Sequence, residues 1–265
     1  MITDVFSMAK TPEEKLLAKK ASDKAARALR TCRTENMKFL TPAEAAFLGA
    51  FCTRAGIRAV FDGGYAGAER KIALFPPEWL DTAEPDAWIP EESPVCVLNI
   101  KAGGSMELSH RDCLGALMAA GIKRETIGDI CVCGGECWVF CLSEISEYII
   151  QNVKTVSRAK VGIRRASRNE VSVPDSDGEE LNVTVSSMRL DSVAAAGFRL
   201  SREEAKESIL RGLCSVGYIP ESKPDAPVEQ GDLISFRGRG RLRIESVNGQ
   251  TRRGRISLTL VKFGR

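Results

Sequence analysis

The sequence predicts an α+β protein, with an N-terminal α/β region over residues 1–180 and a small separate domain over residues 181–265. Three observations lead there. Capped helix starts alternate with short apolar strand runs, turn-forming dipeptides punctuate them, and charge divides unequally between the two parts. Residues 187–265 carry 15 Lys and Arg against 9 Asp and Glu, or +6, whereas the remainder carries 23 against 26, or −3. A basic segment on a mildly acidic body is the footprint of a polyanion-binding module, although a solvated charged surface would give the same count. The hydrophobic fraction of 43% is ordinary for a soluble globular chain. No run approaches the roughly 18 apolar residues of a membrane span, and residues 1–20 lack the features of a secretory signal. Nine cysteines in ordinary helix and strand patterns suit a reducing cytoplasm.

The N-terminal region is expected as a helical and α/β subdomain over 1–80 and a central α/β subdomain over 81–180. Thr11-Pro12-Glu13-Glu14 and Thr41-Pro42-Ala43-Glu44 each place Thr at the N-cap, Pro first in the helix and Glu third. Hydroxyl and carboxylate can then satisfy free backbone N–H groups reciprocally, while Pro has none to leave unpaired. Helices over 12–31 and 42–55 follow, the second stopped by Gly56. Leu16, Leu17, Ala21, Ala25 and Leu29 form a thin apolar stripe on the first. Strands at 58–61 and 72–75 flank a glycine-rich loop, and 81–94 is a polar, acidic connector. A strand at 95–101 precedes a helix over 109–120 with Gly121 as its stop. Strands at 130–133 and 136–142 flank Gly134-Gly135, a hairpin signal. Ser143 can cap a helix to 152, and short strands follow at 161–163, 171–173 and 181–185.

In the C-terminal domain, Arg189-Leu190-Asp191-Ser192-Val193 opens a short helix ended by Gly197. Ser201 and Glu204 form a capping box for a second helix, to about residue 211, stopped at Gly212. Ala205, Ile209 and Leu213 share one face of it; Arg202 and Lys206 share another. Strands are expected at 223–224, 231–234 and 237–243. In the last, alternation puts Arg237, Arg239, Arg241 and Arg243 on one face at intervals of roughly 7 Å, a spacing suited to successive phosphates. A polar edge strand protected by charge is the alternative. Asn248-Gly249 supplies a tight turn, and Arg252, Arg253 and Arg255 follow it.

The order Arg189-Leu190-Asp191, Ser201-Arg202-x-x-Ala205, Ile209, Gly212, Lys223-Pro224 and Gly231-Asp232-x-Ile234, then the Arg/Gly run, resembles the S4 RNA-binding domain. The resemblance implies an αL-type fold, two helices on a small curved sheet, that binds structured RNA along its helical face. Arg189, Ser201, Arg202, Lys206 and Arg211 are then the expected contacts, with Arg199 adjacent and the four arginines at 237–243 alongside. Val216-Gly217-Tyr218 departs from the Val-Asn-Gly usual in that family, so the turn there must differ. Gly63-Gly64-Tyr65-x-Gly67-Ala68-Glu69-Arg70-Lys71, His110-Arg111-Asp112-x-Leu114-Gly115 and Gly121-Ile122-Lys123-Arg124-Glu125 are similar to the bacterial YlmH family. That resemblance runs from about Phe39 onward. It implies an RNA-binding-like plait ahead of the S4 domain, rRNA and tRNA as partners, association with the large ribosomal subunit, and a part in quality control of stalled nascent chains.

A candidate second RNA surface comprises Tyr65, Arg70, Lys71, His110, Arg111, Lys123 and Arg124. Tyr65 would stack on a base while Arg70 and Lys71 meet phosphate; alternatively the loop glycines only free the backbone for a turn. His110-Arg111-Asp112 resembles fragments of pseudouridine-synthase and kinase motifs, but the remaining motif residues are missing, so helix capping or an RNA-facing groove is expected. Two-residue turn geometry pairs Cys133 with Glu136, Val132 with Cys137 and Cys131 with Trp138. Cys131 and Cys133 then lie on the face opposite Cys137 and Cys141, which does not suit a tetrahedral zinc ion. No catalytic residue, metal, cofactor, small-molecule substrate or membrane contact is expected. An RNA-modifying enzyme docking through its S4 domain, and a ribosome-bound scaffold, are the rival readings.

Overall fold

Both Thr-Pro-x-Glu sequences start helices. The Thr11 and Thr41 hydroxyls accept from the Glu14 and Glu44 N–H groups at 3.1 and 3.3 Å, and the two carboxylates accept from the Thr N–H groups in return. Helices α1 (Pro12–Thr31) and α2 (Pro42–Ala55) result, with Gly56 closing α2 at φ 65°. The computed structural model describes residues 5–80, 89, 93–103, 106–133, 135–171, 178–252 and 254–263. Strands β1 (Glu35–Asn36), β2 (Val60–Asp62) and β3 (Ile72–Phe75) form an antiparallel sheet in the order β1-β3-β2. All four residues of β3 are buried: Ala73 and Phe75 pack in the core with α1 and α2, and Ile72 and Leu74 pack in the next core. The stripe expected on α1 is rotated. Ala18, Ala21 and Ala28 are buried, whereas Leu16 and Leu29 are 54% and 55% exposed. Alanines let α1 lie close on its neighbours, and a leucine face would hold it farther off.

Strands β4 (Val95–Ala102), β5 (Ile127–Cys133), β6 (Glu136–Leu142), β7 (Thr155–Val156) and β8 (Ala159–Ala166) form a sheet ordered β5-β6-β4-β8-β7. Helices α3 (His110–Ala119) and α4 (Ser143–Asn152) connect them. This is the split β-α-β arrangement of a plait, with β7 added at one edge. Alternation sorts its two faces. Leu98, Ile100, Cys137, Val139 and Cys141 share a core with α3 and α4. Val95, Val97, Trp138 and Phe140 instead meet Phe39, Ile72 and Leu74 from the N-terminal segment. Residues on both sides of the expected 80/81 division thus share one core. Plaits that bind single-stranded RNA display stacking aromatics on the open sheet face; here Trp138 and Phe140 are 7% and 0% exposed.

The β5–β6 register pairs Cys131 with Trp138, Val132 with Cys137 and Cys133 with Glu136, as turn geometry requires. Ser143 does not cap α4; its hydroxyl donates to the Pro94 carbonyl at 2.8 Å, and Leu142 holds the N-cap position. Most of the connector at 81–94, Gly134, and residues 172–173 of an expected strand lie outside the described residues; Val171 follows a 3₁₀ turn, Arg168–Glu170.

The chain divides into two compact units, Met1–Val173 and Pro174–Arg265. The expected boundary at 180/181 falls inside β9 (Glu179–Val185), which pairs with β14 (Ile256–Phe263) of the second unit. That unit's sheet is ordered β11-β10-β12-β13-β14-β9, with β10 (Cys214–Val216), β11 (Ile219–Pro220), β12 (Leu233–Phe236) and β13 (Gly240–Gln250). Helices α5 (Leu190–Phe198) and α6 (Arg202–Leu210) contribute Leu190, Val193, Phe198 and Ile209 to a core with Ile234, Leu242, Leu258 and Leu260. Gly197 does not end α5. It lies inside the helix, where an added Cβ would fall 2.3 Å from Leu242 Cδ1, and Arg199 closes the helix at φ 55°. Asn248-Gly249 is likewise not the turn. Both lie in β13 at a register shift, and the hairpin closes later, with Gly254 N–H donating to the Thr251 carbonyl at 2.9 Å.

Candidate nucleic-acid interface

Helix α5 begins without a side-chain cap. The first N–H groups of a helix need acceptors, and here Leu190 and Asp191 donate to the carbonyls of Ala226 and Pro224, both at 2.9 Å. The Lys223-Pro224 segment is therefore a turn that caps a helix, not a strand. The Arg189 side chain is left to reach Asp191, with Nε to Oδ1 at 3.2 Å and Nη2 to Oδ2 at 3.1 Å. Arg202 Nη2 stands 3.3 Å from the same Oδ2. Asp191 is only 5% exposed. Burial alone would raise its pKa, but the Arg189 hydrogen bond and the charges of both arginines outweigh it and hold the carboxyl below its ordinary value. One buried carboxylate thus orients two guanidiniums at the surface.

Ser201 caps α6, accepting from Glu204 N–H at 3.2 Å while Glu204 accepts from Ser201 N–H at 2.8 Å. Its hydroxyl is part of the helix cap before it is anything else. Lys206 is exposed one turn beyond Arg202, and Ala205 and Ile209 are buried on the other side. Arg211 is exposed beside Glu207 at 3.7 Å, and Arg199 is exposed 3.6 Å from Glu179. Glu203, Glu204 and Glu207 share α6 with Arg202 and Lys206, so the face is patterned rather than uniformly basic.

The four-arginine stripe does not form. Residues 237–239 make the turn between β12 and β13, with Arg239 N–H donating to the Phe236 carbonyl at 3.0 Å. Gly238 and Gly240 have φ of 79° and 97°, backbone that glycine adopts without strain. The glycines that looked like the back of a strand are what bends it. Arg241 and Arg243 lie on β13, and Arg243 stacks over Phe263 at 5.3 Å and pairs with Glu245 at 2.8 Å. Arg239 instead comes near the α6 start: after its Ser201 hydrogen bonds, Arg239 is a further influence lowering the Glu204 pKa.

Among the N-terminal candidates, Tyr65 is not a free stacking platform. Its ring lies on Phe140 at 4.7 Å and its hydroxyl donates to Asp129 at 2.9 Å. Burial, then the Asp129 charge, push its pKa up. Asp129 also accepts from the Glu69 and Arg70 N–H groups at 2.7 and 3.1 Å. Arg70 donates from Nε to the Ile127 carbonyl and from Nη2 to that of Phe39; Arg124 donates to the Ile127 and Gly128 carbonyls. Both guanidiniums are clamps as well as charges. Lys71 is half-buried beside Arg70, and its carbonyl accepts from Leu40 N–H at 2.8 Å. His110 and Arg111 are exposed in the first turn of α3, where Ser109 caps the Asp112 N–H at 3.1 Å. Lys123 is exposed.

Sequence reasoning missed Asp62, which is 7% exposed and accepts from Gly64 N–H at 2.8 Å and from both Arg168 terminal nitrogens at 3.0 and 2.8 Å. Nothing local signals a partner more than a hundred residues away. Asp191 was within reach of the Arg-Leu-Asp motif, but its burial was not. Among the described residues no three or more His, Cys, Asp or Glu side chains group to hold a metal ion, and no helix is long and apolar enough to cross a membrane.

Residues 96–170, the body of the plait, match the family model described as "Putative RNA-binding domain in YlmH". The chain is 30% identical over 222 residues to "Ribosome-associated protein quality control protein P2" of Bacillus subtilis (strain 168), covering 83% of this chain and 84% of that one. The chain belongs to the YlmH family. A solved YlmH structure, "Cell division protein ylmH from Streptococcus pneumoniae", aligns with 60% of this chain and 94% of its own, at 17% identity and a TM-score of 0.49.

Proposed function

We propose that this YlmH-family chain is a non-catalytic, cytoplasmic RNA-binding factor of the translation apparatus. Its C-terminal unit acts as an S4-type module on rRNA of the large ribosomal subunit, on tRNA, or on both, in ribosome-associated quality control. The observation that carries the RNA-binding part is Asp191. A buried carboxylate that holds Arg189 and Arg202 side by side at the surface, one turn from Lys206, preorganises cations for phosphate. The name of the Bacillus subtilis relative supports the ribosomal setting. Replacing Arg202 and Lys206 together by Ala is expected to weaken binding of a structured RNA about 30-fold near 0.1 M salt and to lower the log–log salt slope by roughly 1.4–1.8, the loss of two phosphate contacts. Both side chains are exposed, so circular dichroism should be unchanged. Unaltered affinity and slope would remove this face from the proposal.

The rival enzyme reading rests on Asp112. That carboxylate accepts from the Ser109 hydroxyl at 2.5 Å at the start of α3, an arrangement sufficient to explain it as part of a helix cap. Asp112→Asn is therefore expected to leave the modification pattern of cellular RNA, read by mass spectrometry, the same as in wild type. A modification that requires the protein and disappears with Asp112→Asn would establish the enzyme instead. The scaffold reading predicts ribosome association that survives loss of the Arg202 and Lys206 contacts.

A further inference from the structure

A groove of about 1260 Å³ follows α1. Its apolar floor includes Met37, Phe39 and Leu40, all buried. Besides Lys24 and Arg27, five cations from four segments line it: Lys20 on α1, Lys38 after β1, Arg70 before β3, and Lys123 and Arg124 between α3 and β5. Asp23, Glu44, Glu125 and Glu144 line it too, so the cations outnumber the carboxylates seven to four. Lys38 bonds Glu125 at 2.6 Å. That hydrogen bond, then the charges of Lys38, Lys123 and Lys20, hold the exposed Glu125 carboxyl below its ordinary value, so three lysines converge on a single carboxylate. Behind them burial lowers the pKa of both Arg70 and Arg124, and Arg70 lowers that of Arg124 further. The carboxylates of Asp129 and Glu44 pull the other way on Arg70, and Asp129 does so on Arg124, so the two guanidiniums are offset in part. Lys24 and Arg27, also on the groove wall, are paired with Glu35 at 2.7 and 2.9 Å and are left out of the argument.

We infer that this groove seats the phosphate backbone of an RNA strand, with Lys20 and Lys123 as its contacts and the Arg70–Arg124 pair supplying positive potential from behind. From Leu17 to Arg27 the α1 wall is about 15 Å long, and the groove exceeds the ~300–1,000 Å³ of small-molecule sites. Both dimensions fit a chain of several nucleotides. Its floor offers no exposed aromatic for a base, because Phe39 is 3% exposed. Contact is therefore through phosphates and independent of sequence. The inference takes Arg70, Lys123 and Arg124 from the candidate second surface and replaces Tyr65, Lys71, His110 and Arg111 with Lys20. It rests on the reading of the chain as an RNA-binding factor.

The test titrates a labelled structured RNA with full-length protein across about 50–200 mM salt. Wild type is compared with Lys20→Ala/Lys123→Ala, with Lys20→Arg/Lys123→Arg, and with the Arg202→Ala/Lys206→Ala pair. The alanine pair in the groove is expected to weaken binding about 30-fold near 0.1 M salt and to reduce the slope by roughly 1.4–1.8. The arginine pair should bind like wild type. Wild-type behaviour of the alanine pair, in a protein that binds RNA, overturns the groove site alone. Absence of RNA binding by wild type overturns the functional reading beneath it. A polyglutamate peptide is titrated in parallel. Equal loss of affinity for peptide and RNA in the alanine pair overturns the RNA assignment in favour of an acidic protein partner.

Discussion

Replacing Asp62 by Ala is expected to destabilise the N-terminal unit by about 3–5 kcal/mol, the usual cost of removing one partner of a buried ion pair. The Asp62 and Arg168 side chains are 8% and 24% exposed. Without the carboxylate, the Arg168 guanidinium keeps only Ser93 and the Val95 carbonyl, each at 3.1 Å, and Gly64 N–H loses its acceptor. The effect is large because the interaction spans the unit: Asp62 ends β2, and Arg168 follows β8 on the plait. All three tryptophans, at 79, 88 and 138, lie in this unit, so tryptophan fluorescence during urea unfolding reports on it alone. Asp62→Asn should cost less, since it retains an acceptor for Gly64. A loss below about 1 kcal/mol for Asp62→Ala, the range of an exposed pair, would show that Arg168 finds equivalent partners and that Asp62 is not a fastener of the two sheets.

Cutting the chain at its structural boundary should separate folding from selectivity. A fragment of residues 174–265 is expected to fold alone, because two helices and a six-stranded sheet enclose a core of their own and the length exceeds the ~40 residues below which single cores usually fail. Its charge is less extreme than that of residues 187–265. Asp175, Asp177, Glu179 and Glu180 raise the acid count from 9 to 13 against 15 Lys and Arg, leaving +2. RNA binding by the fragment must then come from local arrangement, Arg189, Arg202 and Lys206 on the helical side, rather than from net charge. It should bind many structured RNAs with strong salt dependence. Joining it to residues 1–173 should raise affinity for the preferred ribosomal site about 10²–10⁴-fold through effective concentration. Titrating fragment and full chain against ribosomal subunits and an unrelated RNA at matched salt measures both. A fragment that discriminates as well as the full chain would refute a two-surface mode of binding.

Features whose chemistry closes within a few residues were legible without coordinates. The Thr11, Thr41 and Ser201 caps, the glycine stop at Gly56 and the β5–β6 register each depend on backbone groups no more than one turn or one hairpin away. Where a residue answers to a distant neighbour, the sequence was silent or misleading. Gly197 looked like a helix stop, but its missing side chain makes room for Leu242. Gly238 and Gly240 looked like one face of a strand, but they turn the chain, so two of the four expected arginines leave the sheet. Of the helical-face candidates, Arg202 and Lys206 followed from i, i+4 spacing. That Arg189 joins them depends on Pro224 and Ala226 capping α5 and on Asp191 being buried. Tyr65, expected to stack on a base, is half-buried and lies on Phe140 instead. The groove along α1 was legible only in part: Arg70, Lys123 and Arg124 stood among the sequence candidates, whereas Lys20 joins them only because the fold lays α1 beside them. Hydrogen bonds within a turn are set by local spacing, whereas burial and convergent charge depend on which distant segments the fold brings together.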